Sequence, residues 1–399
     1  MTKTKLIGGV VAAAALCAPI LALAQDDPYE PLGIRAGAFL IFPSIDTGLA
    51  YDDNVFATNN DTDDDFIFTL RPEINAESQW STHSLALSTF GEFGFYESET
   101  DSNYQDFGGA VSGTLDVLRN SSADGRLGIS RLHDDRDDPD QADVQDVTQY
   151  YLYDATVGYR HTFNRVFLRP TGFARRYAYE NAGDVSNAGR DYNTYGLGLR
   201  TGVIVSPRIS VFTQVDGDLV RYDEGGDNDD SSNGIDVLGG VEVDFSRLIV
   251  GEASIGYGWR TYENDDFDDT NGLAANLGIT WTPTQLTTVD FFGRSAIDES
   301  TVVVDGERAS GELNQQIGVT VSHDLRRNIV LTATTSYERG DFQETSRTDN
   351  TYRVGGGISY LINRNFSVDA TYNFSTRDSD ANDAEFTRNI FRIGVLARL

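Results

Sequence analysis

The sequence predicts an all-β fold, a single transmembrane antiparallel up-and-down β-barrel of about 18 strands, or about 16 if two irregular segments are not strands. One observation is strict alternation, as in NFSVDATYNFS (365–375), where Phe366, Val368 and Ala370 alternate with polar side chains. Another is the length of such segments, and a further one is that short and long connections alternate between them. Together these features favour a barrel in lipid over a soluble sandwich.

Alternation gives a strand two unlike faces, because successive side chains point to opposite sides of a sheet. The same pattern recurs at 66–77, 235–246, 329–338 and 391–399. These segments run for about 10 to 15 residues, whereas soluble strands usually run for about 5 or 6. A tilted strand that crosses a bilayer needs ~9–11 residues. The length therefore indicates that the apolar face contacts lipid.

The predicted strands follow one another as hairpins along the whole chain. In order they are 38–51, 66–80, 84–98, 104–117, 124–133, 147–162, 166–180, 191–205, 208–222, 233–246, 248–263, 270–282, 286–298, 307–322, 329–340, 347–361, 366–378 and 385–399. An even count places both termini on the same side of the membrane.

The connections differ in length from one end of the barrel to the other. Short ones include WSTH (80–83), FNR (163–165) and NRN (363–365), whereas long acidic ones occupy 52–65 and 134–146. Outer-membrane barrels have short periplasmic turns and longer outer loops. We therefore expect the acidic loops to lie in water at the outer mouth and to make that mouth negative.

The positions of charged residues test the predicted faces. An Arg that faces lipid near the midplane of the bilayer destabilises a barrel by ~2–4 kcal/mol, so central charges should lie on the inner face. In the predicted register the central charges of the strands fall on the polar face, and we predict that they line a pore. The predicted pore-lining residues are Arg71, Glu73, Arg200, Asp216, Asp236, Glu242, Glu252, Arg260, Asp290, Arg294, Arg353 and Asp369.

Aromatic residues cluster near the strand ends, as in the two aromatic girdles of membrane barrels. Those beside short turns are Trp80, Phe163, Trp281 and Phe366, and those toward long loops are Tyr51, Tyr96, Tyr222, Tyr257, Trp259, Tyr262 and Tyr337. Some aromatics are also predicted to face inward, namely Tyr96, Phe90, Phe212 and Phe292.

The chain begins with Lys3, Lys5 and an apolar stretch that ends in Ala22-Leu23-Ala24. This pattern predicts a cleaved secretory signal over 1–24, followed by a short periplasmic segment (25–37) and the barrel (38–399). Cys17 is the only cysteine, so thiolate chemistry and disulfides are not expected after cleavage.

Composition excludes several functional classes. The chain has 62 acidic and 31 basic residues, a net charge of −31, which makes nucleic acid an unsuitable partner. Lys3 and Lys5 are the only lysines, so no P-loop or Schiff-base lysine follows the predicted signal. The sequence also has no G-x-S-x-G or H-E-x-x-H motif. We expect no enzyme activity and no cofactor, although residues brought together in space could still form a catalytic group.

The acidic runs are the candidate metal sites. DTDDD (61–65) begins like a calcium loop, but Phe66 and Pro72 occupy positions that need Gly and Glu, so it is not an EF-hand. The simpler interpretation is a solvated loop. The alternative is diffuse Ca²⁺ or Mg²⁺ binding that bridges the loops to lipopolysaccharide phosphates, through Asp61, Asp63, Asp65, Asp134, Asp135, Asp137 and Asp138.

The stretch IRAGAFLIFPSIDTGLAYDDNVFAT (34–58) resembles the opening of the beta-barrel porin 2 family of Gram-negative bacteria. FIF and Pro in 66–72 and RLHDDRDDPD (131–140) fit the same resemblance. It implies an outer-membrane barrel, and it implies a part in exopolysaccharide export for some members. The ending RIGVLARL departs from the terminal Phe that such barrels generally carry, because Leu399 is the last residue.

We therefore expect an outer-membrane channel for passive diffusion of small polar or cationic solutes, because an acidic mouth concentrates cations. One alternative is a conduit for exopolysaccharide that works with periplasmic export proteins. Another is a structural or adhesive surface barrel. Expected partners are outer-membrane lipid, lipopolysaccharide and the barrel assembly machinery. The sequence does not determine the solute or the oligomeric state.

Overall fold

A computed structural model describes residues 29–141, 146–183, 185–224, 229–245, 248–381 and 383–399. The predicted signal over 1–24 lies outside the described residues. Helical structure in the described part is limited to single 3₁₀ turns at Thr100–Ser102, Pro139–Gln141 and Ala188–Arg190. No helix among these residues has the length and hydropathy that a membrane crossing requires. The chain is therefore all-β, as predicted.

Twenty-one strands run along the described chain. They are β1 (Ile34–Ala36), β2 (Phe39–Asp52), β3 (Asp65–Ser78), β4 (His83–Tyr96), β5 (Tyr104–Leu118), β6 (Ser121–His133), β7 (Gln149–Phe163), β8 (Val166–Tyr179), β9 (Tyr192–Ser206), β10 (Ile209–Tyr222), β11 (Ser232–Asp244), β12 (Ile249–Tyr262), β13 (Thr270–Thr284), β14 (Thr287–Asp298), β15 (Val303–Val304), β16 (Glu307–Arg308), β17 (Glu312–Arg326), β18 (Ile329–Phe342), β19 (Thr348–Leu361), β20 (Phe366–Ser379) and β21 (Phe386–Arg398).

Eighteen of these strands, β2–β14 and β17–β21, form one closed antiparallel barrel. Each pairs with its neighbours in sequence, and closure comes from β2 and β21, which pair from Ser44–Arg398 to Asp52–Ile390. Closure satisfies the backbone groups of both edges, which a lipid environment requires. The predicted count of about 18 strands is confirmed.

The two faces of the sheet differ as the alternation predicts. On the outer face Leu197 is 76% exposed and Ile393 is 65% exposed, although both are large apolar residues. In NFSVDATYNFS, Phe366 is likewise exposed, whereas Ser367 is buried on the other face. The barrel therefore has an apolar exterior, which suits contact with lipid, and a polar interior.

The predicted strand 307–322 is wrong at its start, because β17 begins at Glu312. The preceding residues instead form a hairpin of their own, in which β15 pairs with β16. Asp305 and Gly306 both have positive φ (53° and 88°) at its turn. Asp-Gly is the sequence preferred in such two-residue turns, because both positions need the left-handed region. The Asp-Gly pair therefore marks this turn in the sequence.

The aromatic girdle prediction holds for some residues and fails for others. Trp80, Phe163 and Trp281 are exposed on the outer face beside short turns. The girdle prediction is wrong for Tyr96, Tyr222 and Tyr262, because each has the parity of the inward residues of its strand; for Tyr96 the alternative prediction of an inward side chain is correct. A position near a strand end fixes height in the barrel, but only parity fixes the face.

Candidate functional site

The barrel interior is the candidate site, and its wall is built from ion pairs. All twelve residues predicted to line a pore lie on the inward face of their strands, opposite the exposed apolar side chains. Their contacts with a channel solvent remain a prediction. Pairing matters for these wall charges, because a buried charge left without a partner is strongly destabilising.

Arg200 on β9 contacts polar side chains from the next three strands, β10, β11 and β12. Its Nε donates to Gln214 Oε1 at 2.6 Å, and its Nη1 donates to Glu242 Oε1 at 3.0 Å and Glu252 Oε2 at 2.8 Å. Glu242 and Glu252 are direct cross-strand partners, an arrangement that is destabilising for two like charges unless a cation lies between them. The guanidinium also lies 4.0 Å over the Phe212 ring. Arg200 is therefore the centre of a structural charge network on this wall.

The other predicted residues fall into separate, smaller groups. Arg392 pairs with Asp369 at 2.7 Å and also with Asp46, where the barrel closes. Arg71 lies 4.0 Å from Glu73 and 3.8 Å from Glu92. The remaining contacts are Arg260 with Asp218, Arg294 with Asp298, Asp290 with Thr280, Asp216 with Gln214 and Arg353 with Glu338. Asp236 lies opposite Asp216 across β10 and β11.

Residues 134–141, the described first part of the long loop between β6 and β7, do not stay at the mouth, and we call them the crossing loop. Asp137 in this loop reaches β19 and β20, where Arg353 Nη2 lies 3.3 Å from Asp137 Oδ2. Arg377 Nη2 donates to the main-chain oxygen of Asp137 at 2.5 Å. These partners are 216 and 240 residues away in sequence. The expectation of a solvated outer loop at 134–146 is therefore wrong for its described first half.

Other contacts hold the crossing loop inside the barrel. Asp134 is fully buried and pairs with Arg190 at 2.8 Å. Arg136 donates to Ser102 Oγ at 2.9 Å, and its guanidinium lies 5.1 Å from the centre of the Phe56 ring. Asp134 and Asp137 thus neutralise arginines rather than facing bulk water, and this pairing is a physical reason for the loop to fold inward, because an unpaired buried charge is costly.

A second inserted segment, residues 299–311, contains β15 and β16, and we call it the hairpin loop. The main-chain N of Thr301 donates to Asp140 Oδ1 at 2.8 Å, so the hairpin loop contacts the crossing loop. Glu299 lies 3.0 Å from Arg260, and Arg308 pairs with Asp230. Val302, Ala309 and Phe342 form a small buried apolar cluster that anchors the loop. The two inserted loops together narrow the interior.

The environment sets the charge state of the loop carboxyls. Burial raises the pKa of Asp137, but the arginines around it, above all Arg353, outweigh this effect and hold the pKa below its ordinary value. Burial raises the pKa of Glu299 to about 7, and Arg260 only partly opposes the increase. Asp137 is therefore a permanent negative charge near neutral pH, whereas Glu299 titrates there.

A row of inward-facing tyrosines crosses four adjacent strands, β7 to β10. The ring centres of Tyr177 and Tyr192 are 4.6 Å apart, and those of Tyr192 and Tyr222 are 5.0 Å apart, both stacked. Tyr150 extends the row at 6.1 Å from Tyr177. Asp140, Ser300 and Thr301 from the inserted loops border a small cavity against this row. The sequence analysis missed these tyrosines as an inward set, although their parity within each strand could have revealed it.

The candidate metal residues do not converge in the described part of the chain, where no group of three potential ligands could hold an ion. Asp65 accepts the main-chain N–H groups of Ser98 and Glu99, at 3.0 and 2.8 Å. Asp135 lies 3.6 Å from His133, and Asp138 accepts the N–H of Asp140. Asp61 and Asp63 are exposed. Diffuse cation binding at these exposed carboxylates stays a prediction.

Comparison with known proteins places the chain among outer-membrane barrels. The family described as "Putative beta-barrel porin 2" matches residues 27–399. A search of curated proteins found no significant match.

Among solved structures, OpdO of Pseudomonas aeruginosa is similar, with 11% identity, a TM-score of 0.46 and coverage of 90% of this chain and 97% of that one. The outer membrane protein OpdK of Pseudomonas aeruginosa and a BenF-like porin of Pseudomonas fluorescens Pf-5 each have 12% identity and a TM-score of 0.45, and coverage is 90% of this chain and 99% of theirs. At this level of similarity nothing about the transported solute is inferred from them.

Proposed function

The chain belongs to the beta-barrel porin 2 family and lies in the outer membrane, and from this premise we propose that it is a channel for passive diffusion of small polar or cationic solutes. The observation that carries the proposal is the closed 18-strand barrel with an inner wall of ion pairs. Barrels of about 16–18 strands enclose an aqueous channel when nothing fills the lumen completely. Family and fold both favour a non-enzymatic channel.

Charge supports the preference for cations. The chain has 62 acidic residues against 31 basic ones, and Asp61, Asp63 and Asp64 are exposed beyond the end of β2. Acidic groups around a low-dielectric opening focus the field and raise the local concentration of cations. The proposed transport is passive, so each solute moves down its own concentration gradient.

Single-channel recording in planar lipid bilayers tests this function directly. The purified protein is expected to give stepwise conductance in KCl, with a reversal potential in a salt gradient that indicates preference for K⁺. Clear anion selectivity would contradict the cation proposal. A folded protein with no conductance would instead favour a structural or adhesive barrel.

A second candidate is export of exopolysaccharide, and the tyrosine row favours it. Stacked aromatic faces provide apolar platforms whose edges remain polar, which suits sugar rings. In this conformation Tyr177 and Tyr192 are buried, so a polysaccharide would first have to displace the inserted loops. Deletion of the gene in a producing strain, complemented by a Tyr192→Ala variant, would test this. Loss of secreted polysaccharide with intact small-solute uptake would favour export over passive diffusion.

A further inference from the structure

The part of the inner wall that receives Asp137 is an arginine-rich pocket, which we call the arginine seat and define as Arg353, Arg377 and Arg388. These residues come from the neighbouring strands β19, β20 and β21. The side chains of Arg377 and Arg388 are only 7% and 12% exposed. Arg353 contacts the Asp137 carboxylate, Arg377 binds the main chain beside it, and the charge of Arg388 also acts on Asp137.

The charges of the surrounding wall explain why the seat needs a carboxylate from elsewhere. Arg388 pairs with Asp52 through both carboxylate oxygens. Arg377 shares Asp349 with Arg347, and Arg353 pairs with Glu338. The contacts described for this wall thus join four arginines to three wall acids. One positive charge is left over, and Asp137 balances it.

The origin of that fourth carboxylate distinguishes it from the other three. Asp52, Asp349 and Glu338 belong to barrel strands and are fixed by the sheet. Asp137 belongs to a loop that begins on the other side of the lumen, after β6. Its side chain is still 20% exposed. A guanidinium group recognises a carboxylate through charge-assisted hydrogen bonds, whichever molecule carries the carboxylate.

We propose that the arginine seat is a binding site for the carboxylate group of a small organic solute in the lumen, and that Asp137 occupies this site as an internal competitor. The proposal rests on the proposed channel function, because solutes must reach the seat through the lumen. It concerns one local site and is compatible with a cation-selective mouth, since the mouth acts on net charge and the seat acts through a short-range contact of Arg353 with a carboxylate.

Competition between Asp137 and a solute carboxylate predicts how much the apparent affinity of the seat changes when Asp137 is replaced. A site that its own loop fills most of the time has an apparent affinity reduced by the fraction of time that it is free. Replacement of Asp137 by Asn keeps the size of the side chain but removes the competing charge. If Asp137 fills the seat about nine-tenths of the time, D137N strengthens carboxylate binding roughly tenfold.

The test uses propionate as the probe and single-channel recording of the purified full-length protein in KCl. Propionate is expected to reduce the current through D137N at roughly tenfold lower concentration than through the unsubstituted protein. Asp116→Asn is the matched control, because it removes the same charge from an exposed position near the end of β5; it should behave like the unsubstituted protein. Addition of Arg353→Gln to D137N should abolish the propionate effect, because Arg353 is the arginine that contacts the Asp137 carboxylate.

The outcomes separate the site from the channel. KCl conductance in all variants, with no difference between D137N and D116N toward propionate, would overturn the arginine seat and leave the channel function standing. Absence of KCl conductance in the unsubstituted protein would contradict the channel function itself. Heat-modifiable migration in detergent gels shows that each variant has folded, so a misfolded variant is not counted as a loss of binding.

Discussion

Two acidic loops of the same barrel behave in opposite ways. The crossing loop places Asp137 against Arg353 and Arg377 on a distant wall. The loop between β2 and β3, residues 53–64, which we call the rim loop, stays beside its own strands: Asn54 donates to the main-chain oxygens of Thr58 and Thr387 at 2.7 and 3.0 Å.

Composition does not explain the difference, because both loops are rich in Asp. The rim loop has its own anchor in the fully buried Val55, and its acids at 61, 63 and 64 remain exposed. The crossing loop instead has arginine partners for Asp134 and Asp137. An unpaired buried charge is costly, so excess arginines on an inner wall attract acids from a loop that can reach them. Wall charge, rather than loop charge, therefore decides which loop enters the lumen.

The largest expected effect comes from reversing the charge of Asp137. Asp137→Arg places a cation among Arg353, Arg377 and Arg388, and like charges in a partly buried site repel strongly. We expect the crossing loop to leave the wall and the single-channel KCl conductance to increase markedly. Asp63→Arg, the same reversal on the rim loop, should leave conductance near that of the unsubstituted protein. Equal conductance for Asp137→Arg and Asp63→Arg would contradict the conclusion that the crossing loop, and not the rim loop, enters the lumen.

Removal of a wall arginine should also release the crossing loop, with the opposite effect on selectivity. Arg353→Gln leaves Asp137 and Glu338 without the guanidinium between them, so conductance should rise, but less than for Asp137→Arg. The lumen gains net negative charge, and the reversal potential in a KCl gradient should move toward K⁺. D137N should move it the other way. Arg339→Gln, at an exposed outer position, is the control, and a shift of the same size there would contradict the assignment.

The hairpin loop should respond to pH through Glu299. Its carboxyl faces Arg260, Asp218, Asp230 and Asp298, and burial raises its pKa to about 7. If the loop opens, the pKa returns to an ordinary Glu value of about 4.3. The closed loop therefore binds a proton that the open loop releases, so closure is stabilised at low pH and weakened as pH rises through about 7.

We expect conductance to be higher at pH 8 than at pH 5 for this reason. Glu299→Gln should show the lower conductance expected at pH 5 at every pH up to 8, because the amide cannot ionise. Glu307→Gln, an exposed position in the same loop, should retain the pH response. A pH response that survives in Glu299→Gln would show that another group controls the loop.

The smallest effect is expected at the rim loop, where Asp61 and Asp63 are exposed carboxylates. Ca²⁺ binding by solvated acids is weak, because water competes for each ligand position and salt screens the field. Substitution of both by Asn should modestly reduce Ca²⁺ uptake by the protein in lipopolysaccharide-containing vesicles, measured by calcium titration. Asp138→Asn should not reduce it, because Asp138 holds the N–H of Asp140. Equal Ca²⁺ uptake in the rim-loop variant would contradict diffuse binding there.

The sequence by itself determined the barrel, its strand number and the face of each central charge, because hairpin order and period-two alternation are local properties. Asp369 illustrates this, since parity alone places it inside, and Arg377 on the same strand has the same parity and could have been assigned with it. Tertiary structure alone decided which side chains meet. Asp137 and Arg353 are 216 residues apart, and their pairing depends on closure and on the net charge of a wall assembled from several strands. Alternation specifies a face, but it carries no information about what lies across the lumen from that face.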